Sequence, residues 1–180
     1  TGASYAKTRH NAGAWFAEEL AKNYSAQFKS DLKLKGDIAS VSINTNDIKV
    51  FLPLGFMNHS GLALRTIAQF YRIIPEEILV AHDELDLPAG RIKLKSGGGH
   101  GGHNGLRDII TQLGSQDFHR LRIGIGHPGH KDKVLDYVLG TPTSFDKRNI
   151  NNAIIQSLNA MPTLIEGDIA LAMNQINSMP

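Results

Sequence analysis

The sequence predicts an α/β fold, a single domain over residues 1–180 in which a mixed, mostly parallel, twisted sheet is flanked by helices on both faces. Three observations support this prediction. The length of 180 residues suits one domain. Apolar residues switch between helical and strand spacing along the chain. The apolar run 78–81 and the alternating segment 118–126 are typical of buried strands in such a sheet.

Each element is predicted from its own pattern of residues. Phe16, Leu20 and Tyr24 recur every four positions and predict a helix, while IASVSI and IKVFL predict two strands joined by the turn-like NTND. Pro75 ends a further helix. The predicted helices are 12–24, 63–71, 106–113, 144–160 and 163–176, and the predicted strands are 38–43, 48–52, 78–81, 91–95 and 118–126.

Composition excludes several classes of protein. The chain has no cysteine, so it has neither a disulfide framework nor thiolate chemistry. No stretch reaches the roughly 18 apolar residues that a membrane span needs. The first residues show no signal-peptide pattern. We therefore expect a soluble cytoplasmic protein with no membrane partner.

Positive charge is concentrated in the middle of the chain. Residues 91–133 carry eight lysines and arginines against three aspartates, although the whole chain has a net charge of only +2. Lys93 and Lys95 share one face of a predicted strand, and Arg120 and Arg122 share one face of another. If the two strands are neighbours, these cations form one patch that could bind phosphates. Chance clustering on a solvated surface is the alternative.

The segment SGGGHGGHNG, residues 96–105, combines six glycines with two histidines and an asparagine. A glycine run before a helix lets another backbone come close and presents free N–H groups to negative charge. Asn104 is predicted to be the N-cap of that helix. The preceding strand is too polar for a dinucleotide-binding unit, and the phosphate-loop motif is absent. The segment is therefore interpreted as a polar cradle.

Histidines in this segment also raise the possibility of a metal site. His100 and His103 have the spacing H-x-x-H, and His82 and Asp83 offer further ligands. Glycine-rich loops hold ligands imprecisely, and no clear ligand set emerges. We expect no metal.

His10 and Asp83 are the candidates for acid–base chemistry. Asp83 follows the apolar run of a central strand, where α/β sheets place their sites, and its carboxylate could orient an imidazole. With no serine or cysteine nucleophile behind the pair, the natural chemistry is activation of water, with the amides of Asn58 and Asn104 steadying an oxyanion. At this point His10 could equally cap or pack, and either asparagine could be a helix cap.

Five blocks of sequence, taken in order, resemble bacterial peptidyl-tRNA hydrolase. They are TRHNAGAWF, FMNHSG, HDELDLPAG, GGGHGGHNGLRDI and FHRLRIGIGHPG, and the resemblance runs over about residues 2–140. That family cleaves the ester between a peptide and the 3′ ribose of tRNA, in the cytoplasm, generally as a monomer and without a metal or cofactor. The resemblance implies an esterase whose partners are the peptide and the acceptor arm of peptidyl-tRNA.

The resemblance also implies roles for individual residues. His10 is the general base that activates water, and Asp83 holds and polarises it. Asn58 and Asn104 bind the peptidyl-ribose end, and Asn104 also belongs to the catalytic set. The other implied contacts are Tyr5, Phe56 and Met57 along the cleft, His103 beside it, and Lys95 and Arg122 at the tRNA backbone.

Two features depart from that family. The family begins with a buried strand and an Asn-Pro-Gly turn, whereas here Thr1 and Gly2 fall where the turn should finish. We interpret the sequence as N-terminally incomplete, because a genuine loss would leave an open slot in the sheet. Residues 53–56 read PLGF where the family usually has two threonines, which is expected to alter the wall beside Asn58.

Two other functions remain as hypotheses. A non-catalytic tRNA- or RNA-binding module on the same fold would use the basic face without any turnover. A metal-dependent amidase or peptidase would use the histidine-rich loop, and a chelator would abolish its activity.

Overall fold

The computed structural model describes residues 6–55 and 60–179. Its helices are α1 (Ala12–Asn23), α2 (Ser60–Tyr71), α3 (Asn104–Leu113), α4 (Val134–Val138), α5 (Ser144–Ser157), α6 (Met161–Ile165) and α7 (Ile169–Asn177). Its strands are β1 (Lys29–Asp31), β2 (Gly36–Ile43), β3 (Asn46–Pro53), β4 (Leu79–Glu84), β5 (Ile92–Ser96) and β6 (His119–Gly124). None of the helices in these two ranges combines the length and the apolar character that a membrane crossing requires.

The strands form two three-stranded sheets, in the orders β1-β2-β3 and β4-β6-β5. The prediction of one mostly parallel sheet is wrong for the described residues, because only β4 and β6 pair in parallel. Two residues, Asn44 and Thr45, connect β2 to β3, and so short a connection permits only antiparallel pairing. The sheets are nonetheless mixed and combined with helices, so the broader prediction of an α/β fold is confirmed.

Alternate residues of the second sheet point into two separate apolar clusters. Val80 and Phe118 pack with Leu106 of α3 and residues of α2. Leu121 and Ile123, on the opposite face of β6, belong to the larger cluster that includes residues of α1, α5 and α7. Helices therefore cover both faces of this sheet, as the alternation of apolar residues predicted.

One edge of β3 and one edge of β4 have no partner among the described strands. All residues of β3 and most of β4 line a single cavity of about 1180 Å³, whose wall also includes residues of α1 and α2. Among residues 6–55 and 60–179, the gap between the two sheets is therefore an open slot about as long as a strand. Asp83, near the carboxyl end of β4, lies on the wall of the same cavity.

The structure differs from the sequence predictions at three places: one predicted helix is divided, and two short elements were not predicted. The segment 163–176 is divided between α6 and α7 because Gly167 adopts a φ of 90°, which ends the first helix. Asp168 then begins α7 by accepting a hydrogen bond from the Leu171 N–H at 3.0 Å. The short β1 and α4 were not predicted, because three and five residues are too few for an apolar period to show.

A side chain closes the outer edge of β5. Asn177, the last residue of α7, accepts a hydrogen bond from the Leu94 N–H at 2.8 Å and donates one to the Leu94 carbonyl at 3.1 Å. The Asn177 carbonyl accepts from Lys93 Nζ at 2.8 Å and from an Arg91 nitrogen at 3.3 Å. Asn177 thereby takes the place of a neighbouring strand and holds α7 against the sheet.

Replacing Asn177 with alanine should lower the free energy of unfolding by about 1–3 kcal/mol, because both polar groups of Leu94 lose their partner beneath α7. Urea denaturation at pH 7 measures this loss. Asn174→Ala, an exposed position of the same helix, is the matched control and should change the free energy by less than about 0.5 kcal/mol. Equal unfolding midpoints in the two variants would show that Leu94 finds other partners.

Candidate active site

His10 and Asp83 meet although they lie 73 positions apart in the sequence. The imidazole Nδ1 is 3.0 Å from the Asp83 Oδ1. A 3₁₀ turn, Arg9–Asn11, carries His10 just before α1. Gly13 lets this turn approach β4, because a Cβ at that position would lie 2.2 Å from the Ala81 carbonyl oxygen.

His103 contacts the same carboxylate oxygen as His10. Its Nε2 is 3.2 Å from Asp83 Oδ1, and its Nδ1 accepts a hydrogen bond from the Leu106 N–H at 3.2 Å. His103 is therefore the N-cap of α3, and the prediction that Asn104 fills this position is wrong. The imidazole can cap the helix because its Nδ1 lone pair lies where a shorter cap would place an oxygen.

The charge of Asp83 determines which ring nitrogen of each imidazole carries a hydrogen. Burial alone would raise the pKa of this carboxyl, but hydrogen bonds from His10 and His103, together with their charges, hold it well below its usual range. An ionised carboxylate only accepts hydrogen bonds, so the facing nitrogen of each ring is an N–H donor. The Nε2 of neutral His10 consequently keeps its lone pair, and His10 lines the cavity.

His82 supports this arrangement from within the sheet. Its Nδ1–H donates to the Asp83 backbone carbonyl at 2.7 Å, and its ring packs edge-on to that of His103 with centroids 5.1 Å apart. Burial, followed by the charge of His103, lowers the pKa of His82 to about 4. His82 is therefore a neutral residue that fixes the main chain at Asp83. Sequence reasoning considered it only as a metal ligand.

Asn104 and Gly105 complete the described wall of the site. Both line the cavity, and the Asn104 side chain is exposed. Because His103 supplies the cap, the Asn104 amide makes no hydrogen bond to another described residue. The main-chain N–H groups at this helix start form the positive end of the α3 dipole, which stabilises nearby negative charge.

Four of the residues that sequence reasoning selected are Tyr5, Phe56, Met57 and Asn58, and they lie outside the described residues. The structure therefore brings together His10, Asp83, His103 and Asn104 from the selected set.

The predicted cationic patch is smaller than expected. Strands β5 and β6 do pair, which places Lys93 opposite Arg122 and Lys95 opposite Arg120. Lys95 is exposed, and Arg122 is partly exposed with its Nε donating to Glu84 at 2.8 Å. Lys93 is held by the Asn177 carbonyl. Lys95 and Arg122 are the two cations of this set that remain available to a phosphate.

Arg120 is buried and holds the glycine-rich loop instead of facing solvent. Its side chain is 3% exposed and donates to the carbonyls of Gly98 and Gly99. Its guanidinium also lies over the Phe118 ring, 4.6 Å from the centroid. Alternation predicted the face of the strand correctly but could not show that this loop covers it.

Asp83 and its two histidine partners bring possible metal ligands together. One ligand atom from each of His10, Asp83 and His103 lies within 4.8 Å of the others. The His103 Nδ1 accepts from a backbone N–H, so the proton of the neutral ring is on Nε2, which cannot then ligate a metal. Metal binding would cost α3 its cap, and the residues fit a metal poorly.

A mixed α/β domain with a histidine–aspartate pair on the wall of a cavity at the end of a strand has an arrangement of residues that is typical of hydrolases. Comparison with known proteins specifies this class. The chain belongs to the peptidyl-tRNA hydrolase family, since the family model described as Peptidyl-tRNA hydrolase matches residues 1–180. The resemblance noted in the sequence is thereby confirmed.

Individual relatives agree with this assignment. The peptidyl-tRNA hydrolase of Legionella pneumophila strain Lens is 56% identical over 177 residues, which are 98% of this chain and 94% of that protein. The protein of the same name from Neisseria gonorrhoeae strain NCCP11945 is 52% identical over 166 residues, covering 92% of this chain and 86% of that protein. The crystal structure of peptidyl-tRNA hydrolase from Acinetobacter baumannii is 48% identical, with a TM-score of 0.95 over 99% of this chain and 90% of that one.

Stability should depend on pH through His82. An unfolded histidine takes up a proton near pH 6.5, whereas folded His82 does so only near pH 4. Between these values the unfolded state binds more protons, so acidification from about pH 6.5 to 4 should destabilise the folded state by roughly 3 kcal/mol. His82→Gln should remove this contribution when urea denaturation is measured across that range.

The matched control is His130→Gln, because His130 is exposed and is a histidine outside the site. Its pH dependence should follow the wild type. A slope in His82→Gln as steep as that of the wild type would assign the acid sensitivity to other groups.

Proposed function

We propose that this protein hydrolyses the ester bond of peptidyl-tRNA and releases the peptide and free tRNA. The observation that carries the proposal is the 3.0 Å contact between His10 Nδ1 and the ionised Asp83, which leaves the Nε2 lone pair available on the cavity side. Membership of the family adds the substrate class. The same contact, without a substrate class, would support only a general hydrolase.

In the first step, His10 acts as a general base. Its Nε2 removes a proton from a water molecule while the water oxygen attacks the ester carbonyl. The imidazolium that forms is stabilised by the Asp83 carboxylate, which keeps its negative charge throughout. His103 holds the same carboxylate oxygen at 3.2 Å and so limits its rotation.

In the second step, the tetrahedral intermediate expels the 3′ oxygen of the ribose. The imidazolium returns its proton to this oxygen, so the reaction needs no cofactor and restores neutral His10. An alkoxide of ribose leaves more readily than an amine, which means that the site needs less acid assistance than a peptidase does.

Negative charge on the ester oxygen requires donors at the start of α3. The Asn104 amide and the nearby main-chain N–H groups can supply them, and a preorganised donor of this kind lowers the activation barrier by about 3–4 kcal/mol in acyl-transfer enzymes. We propose that Tyr5, Phe56, Met57 and Asn58 form the rest of the substrate-binding wall, as the family resemblance implies.

A domain of this size covers part of a tRNA, and the acceptor arm is the part that must reach His10. Lys95 and Arg122 would hold its phosphates, which positions an RNA without reading its sequence. One chain supplies His10, Asp83, His103 and Asn104, so we propose that the protein acts as a monomer. The substrate arises in translation, and we therefore propose that the protein acts in the cytoplasm.

His10→Ala should abolish the release of tRNA from an N-blocked aminoacyl-tRNA, lowering kcat by about a hundredfold to ten-thousandfold, because the water loses its base. Binding of the uncleaved substrate should stay near that of the wild type. His130→Ala, which removes an exposed histidine, is the control and should keep full activity. Free aminoacyl-tRNA is the control substrate.

Retained turnover in His10→Ala would remove His10 from the mechanism. Tight RNA binding by a wild-type protein that releases no tRNA would instead favour the non-catalytic binding module. Activity that disappears with a chelator would favour the metal-dependent amidase.

Lys95→Ala and Arg122→Ala should each weaken tRNA binding and reduce the slope of log K against log salt by about 1, because one phosphate contact is lost. Binding titrations at several salt concentrations measure the slope. Lys22→Ala, which removes a lysine with a 76% exposed side chain, is the matched control. Unchanged slopes in both test variants would move the RNA footprint to another surface.

A further inference from the structure

Arg9, the residue beside the proposed base, is buried, with 7% of its surface exposed. Its Nη1 donates to the carbonyls of Tyr137 and Thr141, at 3.1 Å each. Its guanidinium carbon lies 4.0 Å from the centroid of the Tyr137 ring. The Arg9 backbone N–H donates to the Gly140 carbonyl at 3.0 Å. Side chain and main chain thus tie the turn that carries His10 to the segment around the end of α4.

A second series of contacts leads from that segment to Asp83. The Tyr137 hydroxyl donates to the Ile125 carbonyl at 2.7 Å. The Ile125 N–H donates to the Glu84 carbonyl at 3.0 Å, and Glu84 follows Asp83 in β4. The backbones of His10 and Asp83 are therefore connected by a route that does not use their own hydrogen bond.

We infer that Arg9 is a positioning residue, which acts with Tyr137 to hold the His10 imidazole in line with Asp83. This inference rests on the proposed function, since it concerns the geometry of that reaction. Burying a guanidinium is costly, and its one carboxylate neighbour among the described residues, Asp146, lies 3.9 Å away. Directional bonds to two carbonyls fix the turn more sharply than apolar packing would.

The test compares Arg9→Met, Arg9→Lys and Tyr137→Phe with the wild type on an N-blocked aminoacyl-tRNA. A misplacement of 1 Å at a catalytic group costs up to about a hundredfold in rate, so kcat should fall at least about tenfold in Arg9→Met and about threefold in Tyr137→Phe. KM should stay within about twofold, because neither Arg9 nor Tyr137 lines the cavity. Arg9→Lys keeps one donor and should recover part of kcat.

A control and a spectroscopic measurement separate positioning from general damage. Lys22→Met removes the same charge from an exposed site and should match the wild type. Nitrogen-15 NMR of the His10 ring should show a protonated Nδ1 and a bare Nε2 in the wild type, and a mixture of tautomers in Arg9→Met. Circular dichroism identifies the variants that fold. If Arg9→Met does not fold, the kcat values and His10 spectra of Arg9→Lys and Tyr137→Phe decide whether Arg9 positions the imidazole.

Folded variants with wild-type kcat and an unchanged His10 spectrum would overturn the inference. A wild-type protein with no esterase activity would overturn the proposed function instead, and the tautomer measurement would still test the role of Arg9. The two failures are therefore distinguishable.

Discussion

The site depends on one buried carboxylate oxygen that two imidazoles share. Asp83 Oδ1 lies 3.0 Å from His10 and 3.2 Å from His103, inside a sheet that excludes most water. Burial opposes the negative charge, and the two N–H donors more than offset that cost, because the carboxyl stays ionised. Every other feature of the site follows from this balance. The turn, the strand end and the glycine-rich loop must deliver three side chains to one point.

The two imidazoles that share this oxygen differ in the partner of their second ring nitrogen, and this difference indicates which of them can act as the base. The Nδ1 of His103 is committed to the Leu106 N–H, so protonating His103 would place two donors face to face and cost α3 its cap. The Nε2 of His10, which is the ring nitrogen that does not face Asp83, makes no hydrogen bond to a described residue. Of the two imidazoles beside Asp83, His10 is therefore the one whose second nitrogen is available to act as the base in the proposed reaction, while His103 caps α3 and keeps the carboxylate in place.

Sequence reasoning located the site better than it described the frame. The rule that α/β sites lie beyond strand ends selected Asp83, and polar clusters just before predicted helices made His10 and Asn104 candidates, to which the family resemblance then gave roles. The prediction of a mostly parallel sheet was wrong for the described residues. An apolar run shows that a strand is buried, but it does not show in which direction the neighbouring strands run. Arg120 was assigned to a phosphate-binding face for a similar reason, since alternation gives the face of a residue and not its depth. Capping by His103 could not be separated from capping by Asn104, because adjacent residues can both supply an acceptor.

Long-range ties of the frame were also beyond the reach of the sequence. Arg9 lies next to His10 in TRHNAG, yet its partners, Tyr137 and Thr141, follow about 130 positions later and contribute mainly carbonyl groups, which every residue has. A main-chain acceptor leaves no signature in the type of residue that carries it, so such contacts become visible only when the chain is folded. The same holds for Asn177 at the edge of β5. Side chains that bond to distant main chain therefore set the precision of this site, whereas the residue types that pattern reasoning recognises set its chemistry.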